Sequence, residues 1–568
     1  MPEAAPSIRL SAPAATRWAG LAVLVLGAIA WLPRFAHPSV RYSLLTSAGI
    51  AALWLALLVR RRGDALTAHV VIRRPHWVQT IAHSSIYAYW GLYVDVVYAQ
   101  VPLILSQVVF AYVLDLLIAW TRGRKWQIGM GPIPIIGSTN LFLWFHDEVF
   151  YWQYAMVAAA FLSREFLRWR RDGQEIHIFN PSGFGLSLAS IAVIATGTTE
   201  WTWGSTIATT LIHAPYMFEW IFAAGIVVQI LFGVCLVTMT AALVVFLGGL
   251  LWFQLTGDWF FENEHIPIAV FLGMHLLITD PVTSPRANGG KILFGTLYGL
   301  AVFPLYSGLL SIGTPSFYDK LLQVPVLNLM VPWLERAGRH LRWPGWKLSP
   351  PKTNLVHVGL WAVAFAFMVG PLKHHPGQQP AYWEARCAQG NQRSCHNMVV
   401  LYEGLCRRKF GHACVLLADQ FMEGKLIPGD EKAAVYYYEQ ACGFDIARGC
   451  GMLALAHEDG RGGLPPSPEK AGIVRARACS LGDGAACVEQ AARLVDGRGV
   501  ARDPAAAAAL LDGACRGGHA QACGILGFML ERGQGIPADR ARARTMYDEA
   551  CRRGLEPACR QRDALGTP

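Results

Sequence analysis

Residues 433–450 read AAVYYYEQACGFDIARGC, an Ala-rich stretch that ends in Cys442 and is answered by Cys450 eight positions later. Five further pairs repeat the separation: Cys387/Cys395, Cys406/Cys414, Cys479/Cys487, Cys515/Cys523 and Cys551/Cys559. From Cys406 onward the first members recur at 36, 37, 36 and 36 residues, the period of a solenoid whose unit is a helix pair. Eight residues along one straight helix span about 12 Å, beyond the roughly 7 Å that a disulfide allows between its Cα atoms. The chain therefore turns between the two cysteines of each pair, and Gly390, Gly482, Gly518 and Gly554, three residues after the first cysteine, supply a helix-ending residue for the turn. Asp496-Gly-Arg-Gly-Val500 then precedes an Ala-rich helix over 504–515, and the next helix opens near Ala520. Zinc is the other reading of paired cysteines, but there is no C-x₂-C pair and no histidine at ligand spacing.

Outward from this half the chemistry changes. Twelve of the 13 Cys lie after residue 386, whereas 19 of the 20 Trp lie before residue 372. The whole chain of 568 residues is 53% hydrophobic and 15% charged, which excludes extended disorder and an ordinary soluble enzyme. The expected class is all-α: a polytopic membrane helix bundle followed by an α/α solenoid of disulfide-linked repeats. Thirteen stretches read as spans, near 18–33, 43–59, 77–96, 101–120, 131–146, 149–167, 180–196, 211–232, 234–256, 265–279, 291–311, 316–334 and 354–371. The first is expected to be a retained anchor, since no small-residue cleavage site follows it.

The net charge of +10 would form one stripe in a nucleic-acid binder, but here it is dealt out between spans. Arg60, Arg61 and Arg62 follow the second span, Arg122, Arg124 and Lys125 the fourth, Arg168, Arg170 and Arg171 the sixth, Arg286 and Lys291 the tenth, and Arg336, Arg339, Arg342 and Lys347 the twelfth. The acidic loops His146-Asp147-Glu148 and 258–264 fall between them. An N-terminus inside and thirteen crossings put all the basic loops in the cytoplasm and the C-terminal half outside. Disulfides require an oxidising compartment, for a bacterial inner-membrane protein the periplasm. The expected partners are membrane lipid and a protein at the repeats, with no nucleic acid.

Residues of about 383–560 resemble the cysteine-rich branch of the Sel-1-like repeats, relatives of the tetratricopeptide repeats, with units of the form A-x₃-Y/L-x₂-A-C-x₂-G-x₄-C, clearest at Ala433 to Cys442. The resemblance implies a protein-binding scaffold without catalytic residues. It departs at the start, where Cys387 and Cys406 are only 19 apart, and the first unit is expected to be a shortened cap.

Two segments of the membrane half break their helices with Pro and Asn: His177-Ile-Phe-Asn-Pro-Ser-Gly-Phe-Gly185 and Thr279-Asp-Pro-Val-Thr-Ser-Pro285, the second followed by Gly289-Gly-Lys-Ile-Leu-Phe-Gly295. Breaks at membrane depth survive where backbone lines a cavity or meets a neighbouring helix. With Asn328-x-x-x-Pro332, these segments resemble the membrane flavoprotein family shared by the Rnf-type electron transport complex and the sodium-pumping NADH:quinone reductase, over roughly 75–335. That resemblance implies electron transfer or ion translocation, with bound flavin. The stretch at the family's covalent attachment site, Trp203-Gly-Ser-Thr-Ile-Ala-Thr-Thr210, lacks the acidic residue and the Gly-Ala-Thr, so an FMN here is expected to be non-covalent. The Asn-Pro-Ser variant is also similar to membrane proteins accompanying enediyne polyketide pathways, which leaves a transporter or assembly factor without a redox cofactor as the alternative. Asn180, Pro181, Thr279, Asp280 and Thr283 are the candidate cofactor or ion pocket, formed by helix-start N–H groups and polar side chains.

The implied boundaries are 1–74 (N-terminal transmembrane extension), 75–335 (Rnf-like membrane domain), 336–382 (linker with the last span) and 383–568 (repeats). Asp95 and Asp115 read as proton-path or helix-end carboxylates. His83, His146, His213, His265 and His275 read first as polar packing and only second as haem ligands, and Cys235 as a small apolar filler. No phosphate loop, G-x-S-x-G elbow or H-E-x-x-H site is present, so hydrolase and kinase chemistry and a catalytic metal have no support.

Overall fold

The structure is a computed structural model describing residues 7–9, 12–61, 67–71, 73–123, 126–171, 173–212, 214–262, 264–340, 350–372 and 374–566. Arg62, Arg124, Lys125, His213, Arg342 and Lys347 lie outside these. The chain divides into two units, Met1–His375 and Pro376–Pro568.

Among the described residues the first unit holds helices α1 (Ala12–Ile29), α2 (Pro38–Arg61), α3 (Arg74–Gly91), α4 (Asp95–Thr121), α5 (Pro132–Asn140), α6 (Tyr151–Phe166), α7 (Pro181–Ala195), α8 (Gly204–Leu211), α9 (Met217–Phe232), α10 (Cys235–Thr256), α11 (Ile268–Leu276), α12 (Asn288–Ser311), α13 (Asp319–His340) and α14 (Pro350–Val369). Five short strands accompany them: β1 (Ser7–Arg9) pairs antiparallel with β2 (Thr67–Val70), which runs parallel to β3 (Trp126–Ile128), while β4 (Arg168–Arg171) and β5 (Gln174–His177) form a hairpin.

Among the described residues five helices, not thirteen, are long and apolar enough to cross a membrane: Pro38–Arg61, Asp95–Thr121, Cys235–Thr256, Asn288–Ser311 and Lys352–Val369. The difference is one of helix length, which hydropathy does not report. The apolar runs near 131–146 and 265–279 contain the nine-residue helices α5 and α11, each about 13 Å long at 1.5 Å per residue against about 30 Å of hydrocarbon. The helices α6, α7 and α9, at 16, 15 and 16 residues, are also short of a full crossing. The runs near 77–96 and 316–334 form the long helices α3 and α13, which do not meet the same measure of hydropathy and charge.

The core of this unit packs aromatic rings, with Trp90 stacked on Trp144 at 5.3 Å and Phe222 on Phe365 at 4.0 Å, around buried Phe271, Tyr298 and Trp361. The helices α10 and α12 touch backbone to backbone through Gly295 and Gly299, one turn apart. A Cβ at Gly295 would lie 2.3 Å from the carbonyl oxygen of Val237, so only glycine permits that approach.

The second unit is a solenoid of helix pairs: α15 (Pro380–Ala388), α16 (Gln392–Arg407), α17 (Gly411–Glu423), α18 (Glu431–Gly443), α19 (Ala447–Asp459), α20 (Pro468–Ser480), α21 (Gly484–Asp496), α22 (Pro504–Arg516), α23 (Ala520–Arg532), α24 (Arg540–Arg552) and α25 (Glu556–Ala564). Asp430, Ser467, Asp503 and Asp539 cap the first helix of successive pairs through side-chain oxygens. Gly424, Gly460, Gly497 and Gly533 end the second helix in the left-handed region. Six disulfides, Cys387–Cys395, Cys406–Cys414, Cys442–Cys450, Cys479–Cys487, Cys515–Cys523 and Cys551–Cys559, each tie the end of one helix to the start of the next, with Cα atoms 4.5 to 4.8 Å apart. The single helix α16 carries Cys395 at its start and Cys406 at its end, and this gives the short interval between the first two pairs.

Candidate functional site

Pro181 takes the first position of α7, where its missing N–H costs nothing, and Asn180 caps the helix. Asn180 Oδ1 accepts from the Gly183 N–H at 3.1 Å and the Ser182 hydroxyl at 2.8 Å. Its amide nitrogen donates to the Leu277 carbonyl at 2.8 Å, and its backbone N–H donates to Asn328 Oδ1 at 3.0 Å. Asn328, on α13, closes the link by donating from Nδ2 to the Thr283 carbonyl at 3.2 Å. The three motif segments, around Asn180, Thr279–Pro285 and Asn328, thus meet at one hydrogen-bonded node.

The 279–285 loop is pinned at nearly every polar atom. Asp280 Oδ1 accepts from the Val282 N–H at 3.1 Å, while Oδ2 accepts from the Thr283 hydroxyl at 2.9 Å and lies 3.4 Å from His177 Nε2. Burial alone would raise the Asp280 carboxyl, but His177, the Val282 N–H and the Thr283 hydroxyl outweigh it and hold the group below its ordinary value. The Arg171 guanidinium donates to the carbonyls of Val282 at 3.4 Å and Ser284 at 3.2 Å. Thr279 is fully buried and donates to the His275 carbonyl at 2.9 Å.

Beside this node lies a cavity of about 920 Å³, bounded by α3, α5, the β4–β5 hairpin and the start of α7. Asn180, Pro181 and Asp280 line it, whereas Thr279 and Thr283 do not. These five residues do not fit the phosphate of an FMN. The Asn180 amide is spent on the node, Thr279 bonds to backbone, and Asp280 presents a negative charge.

Asp115, inside α4, lines the cavity paired with Arg164, while Asp95 is the exposed first residue of α4, where it complements the helix dipole. Of His83, His146, His265 and His275, only His83 lines the cavity. His146 packs on Trp203 at 4.4 Å, His265 on Phe246 and Trp259 at 5.1 Å each, and His275 Nδ1 bonds to the Phe271 carbonyl at 2.8 Å. Cys235 is a buried free thiol. Among the described residues no cluster of His, Cys, Asp and Glu is placed to hold a metal ion.

Sequence reasoning missed a second polar node, between Gln107, Asn140 and Gln153. Asn140 donates to Gln107 Oε1 at 2.8 Å, Gln153 donates to the same oxygen at 3.2 Å, and Gln153 Oε1 accepts the Phe145 N–H at 3.1 Å. The half-length helices α5 and α11 are each followed by non-helical backbone held by buried amides. Asn140 and Gln107, amides inside apolar runs, were the available signal.

In the repeats a phenol or guanidinium on the first helix of a pair reaches a carboxylate on the preceding helix. Tyr402 pairs with Glu384, Tyr438 with Asp419 at 2.7 Å and Tyr547 with Glu531 at 2.9 Å, and buried Arg475 takes the equivalent position against Glu458. Burial first, and then the carboxylate, raise the Tyr438 and Tyr547 phenols above their ordinary value. A second cavity, of about 560 Å³, opens among α20, α21 and α22 where Gly482, Gly484, Gly513, Gly517 and Gly518 leave space beside His519.

The Sel1 repeat family matches residues 411–442, 447–472, 489–519 and 520–555, so the C-terminal unit carries Sel1 repeats. No curated protein sequence matches the chain. Among solved structures it is similar to a Sel1 repeat protein from Oxalobacter formigenes, at 20% identity over 38% of this chain and 90% of that one, with a TM-score of 0.30. Cysteine rich protein B of Helicobacter pylori matches at 27% identity over 24% of this chain and 98% of that one, with a TM-score of 0.20. A protective antigen of uropathogenic Escherichia coli displaying an SLR fold matches at 18% identity over 37% of this chain and 44% of that one, with a TM-score of 0.30.

Proposed function

We propose that this chain is a multi-pass protein of a bacterial inner membrane whose Sel1 repeats dock a protein partner on the periplasmic side. The observation that carries the reading is the joining of a solenoid clamped by six disulfides to a unit with five helices of spanning length. Disulfides persist in an oxidising compartment, and repeats of this kind present extended surfaces suited to protein rather than small-molecule ligands. Photo-crosslinkers at exposed Tyr436 and Phe528 in the intact chain should give protein adducts that vanish when the cysteines are replaced. Adducts to lipid alone would overturn the reading.

A second reading, for the membrane unit, is electron transfer or ion translocation of the Rnf kind. It is favoured by the meeting of the Asn180, Thr279–Pro285 and Asn328 segments at one node. Since the five candidate residues do not fit a phosphate, such a role draws on a partner's cofactor or on a non-covalent flavin held through other groups. An absorbance spectrum of the purified chain tests it. A flavin band supports a resident cofactor, and a colourless protein with no ion dependence leaves the transporter or assembly-factor reading.

A further inference from the structure

The first unit ends in a cluster of rings. His375, its last residue, is 2% exposed. The His375 ring packs on Trp259 at 4.5 Å and on His265 at 4.9 Å, both in the loop between α10 and α11. His265 holds the same tail by a second means, since its ring is hydrogen-bonded to the backbone of Leu372 and His374. Its Nε2 is enclosed and has no hydrogen-bond partner among the described residues. Trp259 is backed in turn by Phe253 of α10, stacked at 4.4 Å. The segment 370–375 runs from Val369, where α14 ends, to Pro376, where the repeat unit begins, and this one loop holds it down.

Two imidazoles in contact stay buried at low cost only while both are neutral. A neutral ring has one N–H and one acceptor nitrogen, and a second proton turns both nitrogens into donors. On His265 that proton would sit on the enclosed Nε2 without an acceptor, beside a second ring that repels it once charged. The elements packed around the pair supply few charges. The α10 helix carries no charged residue, and those of α14, Lys352 and His357, lie in its first half. Asp258, Glu262 and Glu264 share the loop, with Glu264 accepting from the Ile268 N–H at 2.9 Å, and Lys373 and His374 precede His375 in the sequence. Burial first, and then His265, push the His375 ring down to about 3. Burial also holds His265 below its ordinary value, against the two backbone bonds that favour its charged form. We propose that His265 and His375 form a pH-sensitive latch, which holds residues 370–375 against the loop before α11 and lets them go on acidification. The proposal goes beyond the docking reading and does not depend on it.

The latched state favours neutral rings, so the latch is intact above the released value of about 6.5 and weakens as pH falls below it. With His375 at about 3 when latched, the released fraction should rise about thirtyfold between about pH 7.5 and about pH 5 from this ring alone. Released, residues 370–375 add up to about 20 Å of free chain ahead of the repeats. The test is hydrogen exchange of the full-length chain in detergent across that range, corrected for the intrinsic pH dependence of exchange. The Leu372 N–H, which donates to the Phe367 carbonyl at 3.2 Å, reports on the latch, and the amides of α10 and α14 report on the fold. Exchange over 370–375 should rise by that factor in the wild type while α10 and α14 stay protected. In His375→Phe the rise should shrink to what His265 contributes, and in the His265→Phe/His375→Phe double variant, which has no ring to protonate here, it should vanish. No rise in the wild type, a rise shared equally by α10 and α14, or an undiminished rise in the double variant overturns the proposal.

Discussion

Lys409 is held at φ 66°, in the left-handed region where a side chain other than glycine is strained. It stands three residues after Cys406, the position occupied by Gly390, Gly482, Gly518 and Gly554 in four other hairpins and by Asp445, at φ 58°, in the sixth. All six turns therefore carry a positive φ at this position, although glycine marks it in the sequence at only four of them. Lys409→Gly should stabilise its hairpin by about 1 kcal/mol, read as roughly fivefold slower amide exchange over 403–417 in the intact chain. Asp445→Gly should gain less, because Asp tolerates this conformation better and its carboxylate accepts from Arg477 at 2.7 Å. Equal gains at the two sites would show that backbone strain is not the controlling term. The same scale gives a pH prediction. Tyr438 and Tyr547 have phenols raised by burial and by their carboxylate partners, so their contribution to stability is intact below the unfolded value of about 10 and fades as pH rises through the folded value. Ultraviolet titration of the chain should show a late-ionising phase that shrinks in the Tyr438→Phe/Tyr547→Phe double variant, and an unchanged late phase would contradict this.

At the scale of elements, periodicity was legible and length was not. The recurrence of Cys pairs fixes where each hairpin turns, because an eight-residue separation is incompatible with one straight helix, and the turns lie between α18 and α19, α20 and α21, α22 and α23, and α24 and α25. Hydropathy, by contrast, sums residues without knowing where a helix stops. The apolar residues Leu141 to Phe145 extend the run of α5 in composition, yet their backbone leaves the helix and is held by Gln153. The polar pocket was half legible for the same reason. Asn180 and Asp280 are marked by their prolines, while His83 and Ser138 carry no local signature and come beside the cavity only through the packing of α3 against α5. Each disulfide closes a short loop, worth about 2 to 3 kcal/mol in the chain-entropy model. Replacing Cys442 and Cys450 together by Ala should therefore open the α18–α19 hairpin first, since Cys450 is fully buried among the neighbouring helices. Replacing Cys551 and Cys559 should affect only the last pair, because solenoid repeats couple to their nearest neighbours. Peptide-resolved hydrogen exchange distinguishes a local effect from collapse of the whole array, which would refute this coupling.

For the whole molecule, sidedness follows from where the basic residues sit on the five long helices. Arg60 and Arg61 end α2, Arg122 follows α4, Lys291 lies in the first turn of α12, and Lys352 opens the apolar part of α14. Two contacts tie the starts of α12 and α14 to the end of α9 and the start of α10. Lys291 Nζ donates to the Gly233 carbonyl beside the start of α10 at 2.7 Å, and Asn354 at the start of α14 donates to the Ile230 carbonyl of α9 at 3.2 Å. The starts of α10, α12 and α14 thus lie close together, and in the proposed topology the positive-inside rule assigns that face to the cytoplasm. In the proposed topology α14 then runs outward, and the chain after Val369 leaves on the periplasmic side, where disulfides can persist. This argument does not depend on counting spans, so it survives the reduction from thirteen stretches to five long helices. Reporter fusions after Leu372 should be active only for a reporter that folds in the periplasm, and fusions at Arg61 only for a cytoplasmic one. A cytoplasmic signal after Leu372 would invert α14 and place twelve cysteines in a reducing compartment, and the docking proposal would fall with it.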